Sequence, residues 1–144
     1  MTAALVSALH ILGIALSFAS VSARARALKT PEDHDPILRA DNLWGISAII
    51  VVGTGLARAF GGLEKGTPFY TASSAFHVKM GLLGLVFLLE VAPAVTLVKW
   101  RIAQARGGSI DTSGVGKYVV TSRIQAALMV GMVFAGAFMA QGIG

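Results

Sequence analysis

His10, His77, Arg58 and Lys79 are the side chains of this sequence best suited to hold a redox-active metal group. Neutral imidazole is an axial ligand of haem iron. Guanidinium and ammonium groups neutralise carboxylates such as porphyrin propionates. The spacing supports grouping them. His10 shares a helical face with Gly13, Ser17 and Arg24, and His77 shares one with Gly81 and Gly84. Small residues let a flat ligand or a neighbouring helix approach closely. Two imidazoles from two helices, each above glycine, would form a bis-histidine haem b site in a helical bundle. Arg58 and Lys79 would then clamp its propionates.

Each residue also has a plainer role. His10 can be a neutral histidine bonded to the next helix. Lys79 follows His77 by two positions, about 200° around a helix, and can snorkel to the membrane interface. Glu90 lies within "LVFLLEVAP", where an ionisable group needs a partner or a function. Arg123, about 9 Å inside Lys117 by helical rise, is its expected ion-pair partner, with a proton relay as the alternative. Pro93, just after Glu90, is expected to kink that segment. Met129, Met132 and Met139 share a face with Gly136. Packing accounts for such a stripe, and copper(I) binding together with His10 is the chemical alternative. Trp44 and Trp100 fit interfacial anchors. Asp41 and Asn42 can cap a helix or bond Arg24 or Arg26. His34 is expected in solvent.

The elements that must position these residues follow from composition. Of 144 residues, 55% are apolar and 13% charged, against about a quarter charged in soluble domains. Mean hydropathy is +0.73. Four apolar segments are long enough to span a bilayer: about Ala3 to Ala23, Asn42 to Phe60, Ala75 to Val98 and Tyr118 to Gln141. A short surface helix or turn is expected from Pro31 toward Ala40, and "GGLEKGTP" and "ARGGSIDTSG" break the chain between later spans. "MTAALVSA" lacks the basic residues of a signal peptide, so the first span is expected to be retained. There is no cysteine, which excludes disulfides and thiolate metal sites for this chain. The net charge of +5 is not grouped into a nucleic-acid-binding domain. Arg24, Arg26, Lys29 and Arg39 flank the first connection, and Lys99, Arg101, Arg106 and Lys117 the third. The positive-inside rule places these in the cytoplasm and both termini outside, in the periplasm of a bacterial inner membrane. His10 and His77 then share the outer leaflet.

At "LHILGIAL", "RADNLWG", "RAFGGLEKGTPFY", "FHVKMGLLGLVFLLE" and "FAGAFMAQGIG" the chain resembles the bacterial membrane proteins grouped as domain of unknown function 2214, over nearly its whole length. The early histidine, the arginines closing the first helix and the "HVKM" opening of the third span are also similar, more distantly, to HemJ-type protoporphyrinogen oxidases and CopD-like copper-resistance membrane proteins. The HemJ resemblance implies haem b binding, with His10, Arg24, His77 and Lys79 as the positions carried over. HemJ-type proteins carry an asparagine–glutamate–proline stretch where this chain reads "TSRIQAALMV", so haem binding is implied more strongly than protoporphyrinogen oxidation.

The sequence therefore predicts an all-α integral membrane protein, one four-helix bundle over residues 1–144, binding haem b in a redox or porphyrin-related role. A quinone or a haem protein would be the electron partner. An accessory subunit of a larger complex, a homo-oligomer and a copper-handling protein are the alternatives.

Overall fold

A computed structural model describes residues 1–63 and 65–143; Glu64, within the predicted "GGLEKGTP" break, and Gly144 lie outside the described residues. All regular structure among them is helical: α1 Thr2–Ala27, α2 His34–Phe60, α3 Thr67–Ala72, α4 Ser74–Ala105 and α5 Lys117–Ala140. α1, α2, α4 and α5 are each long and apolar enough to cross a membrane. α1, with 26 residues, is about 39 Å long at 1.5 Å per residue, more than the roughly 30 Å hydrocarbon core. Leu12, Ile49, Leu88 and Phe134 are exposed. Such outward apolar side chains are what a lipid-facing bundle requires.

The expected spans are present, with three changes. The second begins at His34 as one continuous helix, replacing the separate surface helix expected over Pro31–Ala40. Asp33 is its extended N-cap and Asp35 lies in its first turn; Pro36 is tolerated there because first-turn N–H groups lack helical partners anyway. The short α3, with Pro68 at its start, was not anticipated. α4 continues through Pro93 for 32 residues. It starts at Ser73, whose Oγ accepts a hydrogen bond from the Phe76 N–H at 3.3 Å.

The helices pack in the order α2, α1, α5, α4, with α1 against both α2 and α5 and α4 against α5. The ring is not closed at the backbone level, because α2 and α4 approach closely at few positions and meet through side chains such as Trp44 with Phe87 and Asp41 with Arg101. A seam between them faces the bilayer. The core has three levels. Leu28, Ile37, Leu97, Trp100 and Tyr118 fill the basic end. Val21, Trp44, Val86, Met129 and Met132 fill the middle. Ala59, Tyr70 and Met139 fill the opposite end. Trp44 is thus a core residue stacked near Phe87 and not an interfacial anchor. Trp100 is buried as well, its indole N–H donating to the Asp111 carbonyl at 3.0 Å. His34 is half-buried, edge-on to Trp100 at 5.2 Å, and its Nε2 has no partner among the described residues.

Gly13 sets the closest approach of α1 to α2. A Cβ there would lie 3.0 Å from both Ile50 Cγ2 and Val51 Cγ2. Gly13→Leu is expected to destabilise the protein by about 1–3 kcal/mol through overpacking. Unfolding in mixed micelles measures this; an unchanged midpoint would show that the helix pair is more loosely packed.

Candidate functional site

Two polar centres lie inside the bundle, both built on one face of α1. His10, Gly13, Ser17, Ser20 and Arg24 are all buried. Their spacing of three or four residues keeps them on a single stripe.

The centre nearer the basic end is organised by Arg24, which is fully buried. Its Nε donates to Ser122 Oγ at 3.3 Å. Nη1 donates to Asp41 Oδ1 at 2.8 Å and Glu90 Oε1 at 2.6 Å. Nη2 donates to Glu90 Oε2 at 2.6 Å and Gln125 Oε1 at 3.0 Å. A guanidinium has five N–H donors, and these five bonds use them all. The Gln125 amide in turn donates to Glu90 Oε2 at 2.8 Å and to the Val86 carbonyl at 3.1 Å. Arg101 donates to Asp41 Oδ2 at 2.7 Å and Asn42 Oδ1 at 2.8 Å. The two cations, Arg24 and Arg101, balance the two anions, Asp41 and Glu90. α1, α2, α4 and α5 all contribute. With every guanidinium donor satisfied and charge neutral, this is a structural lock rather than an open binding site.

The expected Glu90–Arg123 pair is not formed. Glu90 meets Arg24, while Arg123 is exposed and lines a separate cleft with Arg26 and Lys29. Gln125, not singled out in the sequence, takes the inward place on α5. The available signal was an amide within an apolar segment, two positions from Arg123 and at helical spacing from Met129 and Met132.

The second centre is built on His10. Its Nδ1 lies 2.9 Å from Thr54 Oγ1. The Thr54 hydroxyl has one proton, given to the Ile50 carbonyl at 2.5 Å, so Thr54 accepts and His10 Nδ1 carries the ring proton. Nε2 is then the lone-pair nitrogen. It faces the Lys79 ammonium in a long contact of 3.5 Å, in which an ammonium can only donate. The two assignments agree on a neutral imidazole. Gly55 makes room for the ring, since a Cβ there would be 3.3 Å from His10 Cε1.

A cavity of about 80 Å³ lies against this centre, lined by His10, Arg58, Lys79 and apolar side chains that include Met132 and Met139. Leu56 and Phe60 of α2 and Met80 of α4 also line it, and all three are exposed. The cavity therefore opens sideways through the seam between α2 and α4. Small-molecule pockets run to roughly 300–1,000 Å³, so a macrocycle entering here would keep an edge in lipid.

The structure brings His10, Arg58 and Lys79 around this cavity and leaves His77 outside it. His77 is exposed, and its Nδ1 meets the Ser73 carbonyl of its own helix at 2.8 Å. A cofactor clamped between His10 and His77 of one chain does not fit this geometry. His10 is the one imidazole among the described residues lining the cavity. Ring orientation by a hydrogen bond at the far nitrogen is the usual support of a ligating histidine.

Four apolar helices around two buried polar centres define a multi-pass integral membrane protein. The family described as predicted membrane protein, DUF2214, matches residues 2–144, and the chain belongs to it. No curated protein and no solved structure matches the chain.

Proposed function

We propose that this protein binds haem b from the bilayer side, using His10 as axial ligand, in a redox or porphyrin-related role at a bacterial inner membrane. The observation that carries the reading is the His10 imidazole, held by Thr54 at Nδ1 and lining a laterally open cavity beside Lys79, which Nε2 faces. Arg58 and Lys79 at the same cavity favour a ligand with anionic edges and would hold the propionates. Lys79 would exchange its contact with Nε2 for a propionate oxygen, a short movement for a flexible ammonium stem. Apolar walls would exclude water from the iron. Bound haem would supply one-electron chemistry. The distribution of Lys and Arg supports both termini lying outside, with His10 in the outer leaflet.

The absorption spectrum of the detergent-purified protein, with and without dithionite, tests this reading. A Soret band with reduced α and β bands is expected. Colourless protein after expression with ample haem would overturn it. Thr54→Val keeps the shape of residue 54 but removes the acceptor for Nδ1–H, and should weaken haem retention about 10–100-fold. Haem titration of the variant checks this.

A second reading rests on Met132 and Met139 lining the same cavity as His10. Two thioethers and an imidazole are soft donors suited to copper(I), and a volume of about 80 Å³ suits an ion. Lys79 and Arg58 oppose it, since a unit charge 5 Å away repels a cation by about 3 kcal/mol at an effective dielectric of 20. Copper without haem in metal analysis of the purified protein would favour this reading.

A further inference from the structure

At the basic end of the bundle, α1 and α5 diverge around a cleft of about 200 Å³. Ser22, Arg26 and Lys29 line it from the α1 side, and Ser122 and Arg123 from α5. Ser22 and Arg26 lie one turn apart on α1, and Lys29 follows in the turn that ends the helix. The lining holds three cations and no carboxylate. Arg26, Lys29 and Arg123 make no ion pair among the described residues; the acidic Glu32 and Asp33 follow Lys29 in the connection and do not line the cleft.

Ser122 adds a donor. It is fully buried and its Oγ accepts from Arg24 Nε. Its own proton has no acceptor among the described residues. Directly below the cations the surface becomes apolar. Phe18 lies one turn from Ser22 on α1, Val130 one turn from Ala126 on α5, and both are exposed. Cations and hydroxyls at the top of an apolar track match a phosphate diester carrying acyl chains. Basic pockets between membrane helices take anionic lipid headgroups in this way.

We infer that the Arg26–Lys29–Arg123 cleft is a binding site for the phosphate of an anionic phospholipid, whose acyl chains lie along Phe18 and Val130. The site is separate from the His10 cavity and does not depend on what that cavity holds. Free phosphate shares the headgroup chemistry but not the acyl track, so the two sources can be told apart.

The test is thermal unfolding and native mass spectrometry of the protein in a neutral detergent, titrated with dioleoyl phosphatidylglycerol, dioleoyl phosphatidylcholine or inorganic phosphate. The expected result is a preference for phosphatidylglycerol over phosphatidylcholine on the order of a hundredfold, from three cations near one anionic group. Arg26→Gln, Lys29→Gln and Arg123→Gln together should abolish the preference. Should the triple variant fail to fold, Arg123→Gln alone, at an exposed position, should lower it about fivefold. Equal retention of the two lipids, or a preference unchanged by the substitutions, overturns the site. Full effect from inorganic phosphate overturns the lipid and leaves a soluble-phosphate site.

Discussion

Arg24→Met is expected to destabilise the bundle by about 3–5 kcal/mol, the cost of leaving a buried carboxylate without its cation. That is a large part of the roughly 5–15 kcal/mol that holds typical domains together. The bidentate bonds of 2.6 Å to Glu90 are lost. Glu90 keeps only the Gln125 amide at 2.8 Å. Asp41 is less affected, because Arg101 still donates to it at 2.7 Å. Adding Glu90→Leu to Arg24→Met removes the orphaned charge and should restore much of the loss, since replacing a whole buried pair is often near neutral. Unfolding in mixed micelles of the two singles and the double gives the coupling energy directly. Strict additivity would show that the pair contributes nothing as a pair.

The second large effect is expected at His10. His10→Ala should abolish the Soret band and the haem recovered with the protein, because the cavity offers no other imidazole. His77→Ala should leave both unchanged, because that ring is exposed and bonded within its own helix. The pair of variants separates the two geometries. Loss of the spectrum in both would restore a role for His77, through a second copy of the chain or a rearranged α4. Retention in His10→Ala would remove haem from this cavity altogether.

The spans were legible because bilayer thickness imposes a minimum apolar length that little else in a sequence imitates. Their ends were less so. The helix entered at His34 looked like a separate amphipathic turn because Pro31, Pro36 and three acidic residues, Glu32, Asp33 and Asp35, crowd the connection. α3 has six residues, too few for a periodic pattern. Trp44 resembled an anchor because indole suits interfaces, yet in lipid no hydropathy signal says which face of an apolar helix turns inward.

The same limit explains the ion pair. Arg24 and Arg123 are both cations near the basic end, and a ranking by depth along one helix favoured Arg123 for Glu90. Bundle order decides otherwise. α1 and α4 sit across the bundle, separated by α5 on one side and by α2 and the seam on the other, and at the level of Glu90 the long Arg24 side chain spans the middle. For the His10 cavity, type and depth suggested that His10, Arg58 and Lys79 lie at one level of the bundle, and all three line it. The exclusion of His77 was not legible, because rotation of α4 is fixed by its packing on α5 and by the Ser73 cap.

The five bonds of Arg24 also order the making of the protein in time. Asp41 follows Arg24 by 17 residues, Glu90 by 66 and Gln125 by 101. When α1 and α2 leave the insertion machinery, only the first of these exists. At that stage four of the five guanidinium bonds still lack their partners. Only the synthesis of α4 and then α5 supplies them. The residue that ties the finished fold together thus gains its partners last, and chains ending before Gln125 are expected to be more readily proteolysed than the full chain, which limited proteolysis in micelles would check.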